Sequence, residues 1–125
     1  MNTSNYDDVI NSRDIIEELN IIESRLEDFL ADGGVEEDFD EIEDLKTLRE
    51  WNALGDDVDD WDYGATLIRD SYFEEYAEQL CEDLGEIPDD LPGYIACHID
   101  WEGVARDMKM DYQSIELSGQ TYWVR

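Results

Sequence analysis

Glu74, Glu78 and Glu82 recur at four-residue intervals in a stretch with helical periodicity. An α-helix rises 1.5 Å per residue, so these carboxylates stand about 6 Å apart along one face. Successive phosphates on one DNA strand advance by about 3.4 Å along the axis, and by more along the backbone path. The spacing is of the right order for a carboxylate row to occupy the Lys and Arg side chains of a DNA-binding protein. Glu75, Asp83 and Glu86 widen the same acidic side. Like charges at these spacings repel by about 0.2–0.5 kcal/mol per pair, and no Lys or Arg lies between Arg69 and Arg106 to relieve them. A solvated outer face accounts for acids opposite an apolar stripe but not for the missing cations. Asp56, Asp57, Asp59, Asp60 and Asp62 form a second dense patch, and Asp89 with Asp90 a third.

Other chemistries fare worse. With 36 Asp and Glu in 125 residues, pairs of carboxylates at hydrolase-like spacing arise by chance. A calcium loop needs acids at its first, third and fifth positions. From Asp57 the pattern breaks at Trp61, and from Asp38 at Ile42. Cys97-His98 is a thiol–imidazole neighbour pair, but adjacent side chains rarely face each other, and catalytic Cys and His usually lie far apart in sequence. One His and two Cys do not make a zinc site. Neither a Gly-rich phosphate loop nor a nucleophile elbow occurs. The expectation is a protein that is not an enzyme and holds neither cofactor nor metal.

Composition points the same way. Eight Lys and Arg leave a net charge of −28, where a magnitude of about 2–8 suffices to keep a small domain soluble. Such self-repulsion destabilises a compact state. A halophilic surface is an alternative, but it would spread the acids evenly, and here they come in runs. The sign excludes direct nucleic-acid binding, which needs a basic patch, and an anionic membrane surface. No apolar run is long enough to span a bilayer, and no secretion signal is legible. Cys81 and Cys97 therefore read as reduced thiols in a cytoplasm. With 42% hydrophobic and 11% aromatic residues the chain can bury a core, unlike a disordered acidic tail.

Positioning these acids requires an α+β protein: an N-terminal helical hairpin, then a small domain of two helices and a C-terminal β-hairpin. Residues 1–10 read as a loose lead-in. Ser12 is placed to cap a helix running to about Leu30, with Ile15, Leu19, Ile22, Leu26 and Phe29 on a heptad seam. Two heptads need a partner helix, within the chain or in a second copy, so a homodimer is one outcome. Gly33-Gly34 ends this helix, and a second pattern runs from Glu36 to Leu54, closing the hairpin of residues 1–54. Residues 55–62 read as an acidic linker. In the unit 63–125, Ser71 and Glu74 match a capping box. The helix it opens carries Tyr72, Phe73, Tyr76, Ala77, Leu80, Cys81 and Leu84 on one side and stops at Gly85. Residues 86–99, with Pro88 and Pro92, read as loop. Asp100 can cap a helix from Trp101 to Met108. Strands Tyr112–Leu117 and Gln120–Val124 flank a Ser118-Gly119 turn. Trp51, Trp61, Tyr63, Tyr72 and Tyr94 are core, hinge or interface-anchor candidates.

The runs Phe73-Glu-Glu-Tyr-Ala-Glu-Gln-Leu80, Ile87-Pro88, Ile99-Asp-Trp-Glu-Gly-Val-Ala-Arg-Asp107 and Tyr122-Trp-Val-Arg125 resemble the C-terminal domain of ArdA-type antirestriction proteins. The resemblance covers roughly residues 62–125, and the chain is also similar to short phage proteins that carry this domain behind a helical segment. It implies an elongated, often dimeric mimic of B-form DNA that occupies the DNA-binding groove of Type I restriction–modification enzymes. Carried over, the mimic surface would include Glu74, Glu75, Glu78, Glu82 and Asp83. ArdA proteins have further α/β domains ahead of this one, where a helical hairpin is expected here, so the mimic would differ in length or shape.

The partner expected from charge and resemblance together is a host DNA-binding defence protein. An anti-CRISPR or an inhibitor of a DNA-repair enzyme would use the same charge. A phage structural or scaffolding adaptor would instead work through the seam, and a divalent-ion buffer would show saturable binding.

Overall fold

The computed structural model describes residues 2–86 and 90–125. Its organising element is a four-stranded antiparallel sheet in the order β1-β2-β4-β3, formed by β1 (Val9–Asn11), β2 (Thr66–Arg69), β3 (Gln113–Leu117) and β4 (Gln120–Val124). The expected C-terminal hairpin is β3–β4. Its turn residues Ser118 and Gly119 have φ of 51° and 90°, the left-handed pair that a tight two-residue hairpin turn needs.

The other two strands change the reading of the N-terminal region. Residues 9–11 are not a lead-in but an edge strand: Ile10 stands opposite Leu67, and Leu67 opposite Val124. The segment is three residues long and draws its hydrogen bonds from a strand more than fifty positions away, so no local pattern announces it.

Side chains alternate across a sheet with period two, and this divides the core. Ile10, Leu67, Tyr122, Val124, Ile115 and Leu117 face one side. There they meet α1 (Ser12–Ala31) and α2 (Ile42–Leu54), which pack on each other. Ile68 and Trp123 face the other side and meet Phe73, Ala77 and Ala105, carried by α3 (Phe73–Asp83) and α5 (Trp101–Met108). The sheet thus lies between two helical layers, and mixed α+β architecture is the observed class.

The seam of α1 is filled from within the chain. Ile15, Leu19, Ile22 and Leu26 are buried in the cluster that also holds Leu45, Leu48 and Trp51 of α2. Phe29 lies 5.6 Å from the Phe39 ring, centroid to centroid. A second copy would have to join elsewhere than along this seam.

Several helix boundaries move for identifiable reasons. Asn11, not Ser12, caps α1: its side chain accepts the Arg13 amide at 2.9 Å. Ser12 is the first helical residue, and its hydroxyl is turned into the core. The end of α1 is as expected, with the Gly34 amide on the Phe29 carbonyl and the Gly33 amide on Leu30, the paired bonds of a Schellman motif. The next helix begins at Ile42, not Glu36. Residues 36–38 form one 3-10 turn, and Phe39 adopts extended backbone that turns its ring inward. The capping box is absent: the chain enters α3 through a 3-10 turn at Asp70–Tyr72, and no side chain caps α3. Within 86–99 a short helix, α4 (Gly93–Ala96), replaces part of the expected loop. Helix α5 has the expected limits, with Asp100 accepting the Gly103 amide at 3.0 Å.

Candidate functional site

Helix α3 lies over the sheet by its apolar side. Phe73 and Ala77 are buried, and Tyr76, Leu80 and Cys81 are half-buried. Its remaining surface is acidic. Glu74, Glu75, Glu78, Glu82 and Asp83 are all exposed, as is Glu86 just past the helix end. Glu74, Glu78 and Glu82 share one face, about 6 Å apart per step along the axis. Gln79 donates to Asp83 at 3.0 Å. The helix stops where Gly85, at φ 71°, takes the left-handed conformation, and the Glu86 amide closes back on the Cys81 carbonyl at 3.0 Å. Burial pushes the Cys81 thiol above its ordinary pKa, and the Glu86 carboxylate beside it adds to the rise. A thiol held protonated is a poor nucleophile.

The second patch is built by a bent segment. Gly55–Asp57 is a 3-10 turn, and the Asp60 carbonyl accepts the amides of Tyr63 at 3.1 Å and Gly64 at 2.9 Å. Val58 and Trp61 are buried while Asp56, Asp57, Asp59, Asp60 and Asp62 are exposed. Two apolar anchors thus hold five carboxylates outward. The Trp61 indole also donates to Asn52 of α2 at 2.8 Å. Of the third patch, Asp90 is exposed, and Asp89 lies outside the described residues together with Ile87 and Pro88. Among the anchor candidates, Trp51 and Trp61 belong to the core, Tyr72 is half-buried, and Tyr63 and Tyr94 are exposed.

The ion-paired cations meet other acids. Arg25 pairs with Glu41, Lys46 with Glu43, and Arg49 with Glu23 and Glu36. Arg69 pairs with Asp8 and Lys109 with Asp70. No ion pair among the described residues engages the α3 acids, the 55–62 acids or Asp90.

Sequence reasoning missed a further acidic face. Asp14, Glu17, Glu27 and Asp28 are exposed on α1. The signal was present in the heptad itself, since acids fill many of the positions that the seam leaves over. Cys97 and His98 are both exposed, and among the described residues no hydrogen bond links them. Nor do three His, Cys, Asp or Glu side chains converge there as metal ligands. The carboxylates are dispersed over the surface.

The family model described as "Antirestriction protein (ArdA)" matches residues 2–122. The match takes in β1, α1 and α2 as well as the stretch from 62 onward on which the sequence resemblance rested. No curated protein and no solved structure matches the chain. With the family model covering nearly its whole length, the chain belongs to the ArdA antirestriction protein family, whose members are inhibitors and not enzymes.

Proposed function

We propose that this protein shields DNA by occupying the DNA-binding groove of a Type I restriction–modification enzyme as a stoichiometric mimic of duplex DNA, in the cytoplasm of a bacterial host. The observation that carries this reading is the α3 row. Glu74, Glu78 and Glu82 are exposed, regularly spaced and outside every ion pair of the described residues, in a chain whose ion-paired cations all neutralise other acids. Lys and Arg side chains that normally meet phosphates meet this row instead, and the patches at 55–62 and at Asp90 extend the contact. The chain itself, at −28, is repelled by DNA.

The test is inhibition of a Type I enzyme by wild type and by Glu74→Gln/Glu78→Gln/Glu82→Gln. The substituted residues are exposed and mutually repelling, so the fold is retained. Mimicry requires excess duplex to compete with the inhibitor, inhibition to weaken as salt rises, and the triple variant to lose about tenfold or more in affinity. Full inhibition by the triple variant, or indifference to duplex, would end this reading. Retention of a CRISPR or repair enzyme in place of the restriction enzyme, released by duplex, would keep the mimicry and change the target.

A further inference from the structure

We propose that Lys109 is a positioning residue for the acidic row, a cation whose task is to aim carboxylates; the inference rests on the mimic reading above. Lys109 follows directly on α5, and its ammonium lies 2.9 Å from Asp70 Oδ1. The same oxygen accepts the Trp123 indole N–H at 2.8 Å. The ammonium also stands over two rings, 5.3 Å from the Phe73 centroid and 5.2 Å from that of Trp123. One charge thus joins the end of α5, strand β4, the turn ahead of α3 and the first residue of α3.

That residue, Phe73, directly precedes Glu74 and Glu75. Its ring meets Tyr112 edge-on at 5.1 Å and Trp123 at 6.4 Å. No side chain caps α3, so the direction in which it starts depends on how its first residue is held. The Lys109 contact fixes the Phe73 ring, and with it the point from which α3 leaves the turn. The Lys109 side chain is 26% exposed, so the ammonium sits partly out of water, where attraction to ring faces strengthens. Trp123 and Lys109 hold the Asp70 carboxyl below its usual range, so Asp70 stays ionised as the ammonium's partner. Asp70 is in this account a strut, and the row proper begins at Glu74.

Charge alone and positioning predict opposite signs. Lys109→Met makes the protein more acidic, which strengthens binding to a basic groove if acidity is all that counts. If Lys109 aims the row, the variant inhibits worse. The experiment measures inhibition constants against salt for wild type, Lys109→Met, Lys109→Arg and Glu78→Gln. Circular dichroism and amide exchange over residues 73–78 are read on each. Lys109→Met is expected to weaken inhibition about tenfold with an unchanged salt slope and faster exchange in the first turn of α3. Lys109→Arg keeps the charge and the stacking on aromatic faces and stays within about threefold. Inhibition by Lys109→Met equal to or better than wild type overturns the proposal. Should that variant not fold, Asp70→Asn decides. It keeps an acceptor for Trp123 and uncouples Lys109, so weaker inhibition at unchanged salt slope supports positioning. A slope reduced as in Glu78→Gln makes Asp70 an ordinary surface charge and overturns it. If the Glu74/Glu78/Glu82 variant inhibits fully, the mimic reading itself has failed. If that variant is impaired while Lys109→Met is not, the failure belongs to the positioning role alone.

Discussion

Ser12 is bonded to Trp61 across the core, its hydroxyl donating to the Trp61 carbonyl at 2.6 Å. The Ser12 hydroxyl oxygen in turn accepts the Ala65 amide at 2.7 Å. A side chain at the start of α1 therefore closes the bend that presents the 55–62 acids. Ser12→Ala would leave a buried carbonyl and a buried amide without their partner. Unfolding in urea is expected to show a loss of about 1–3 kcal/mol, with faster amide exchange around residues 61–65.

Gly55 lies against the indole of Trp61 so closely that a Cβ there would overlap the ring. Both residues are buried. Gly55→Ala is expected to destabilise by about 1–3 kcal/mol through overpacking. Its signature is a change in Trp61 fluorescence, because the ring must move out of its slot to make room.

Burial pushes the phenol groups of Tyr76 and Tyr122 from 10.0 up to about 12. The folded state thus favours the neutral form. Its contribution is complete below pH 10 and is lost as pH rises through 12. Tyr122 is fully enclosed and donates to the Asp7 carbonyl at 2.6 Å. Stability of the wild type should therefore fall between about pH 10 and 12, and Tyr122→Phe should fall less steeply over that window. Asp70 has the opposite sign. Hydrogen bonds from Trp123 and Lys109 lower its pKa from 3.8, so its contribution is present above the ordinary carboxylate range and lost as pH falls below it. Asp70→Asn should flatten the acid limb of the stability curve, measured by denaturant midpoint against pH.

Salt should act on stability and on inhibition in opposite directions. The net charge of −28 repels itself within one small fold, and raising ionic strength from about 0.01 to 0.15 M shortens the screening length from about 30 to 8 Å. The melting temperature is expected to rise across that range while inhibition weakens. A melting temperature insensitive to salt would mean that self-repulsion is not a major term in the fold.

The features legible in the sequence are those whose causes are local. The seam from Ile15 to Leu26 follows from helical periodicity, the limits of α5 from Asp100 and the Trp101–Met108 pattern, and the hairpin from Ser118-Gly119 between alternating runs. The acidic patches follow from composition, since a face with no Lys or Arg cannot neutralise itself. What escaped were elements held by distant partners. β1 is three residues long and exists because Leu67 lies beside Ile10. In β2, Leu67 and Ile68 are both buried, on opposite faces under different helical layers, so no alternation marks the strand. Ser12 read as a cap because its type fits one, but its hydroxyl is engaged by residues 61 and 65.

Residue types and their order along the chain are enough to show that it folds around helices and a hairpin, that it carries an excess of anions, and that the α3 face holds acids without a Lys or Arg. All of this depends on residue type and short-range spacing. The tertiary structure alone decided that the 55–62 segment is pinned by Trp61 with its acids outward. It alone decided that the ion-paired cations meet acids outside the α3 row and the 55–62 patch, and that Lys109 reaches back to the start of α3. Each of these depends on which surfaces meet when the sheet is closed between its two helical layers, and that closure joins residues whose separation along the chain hides their contact.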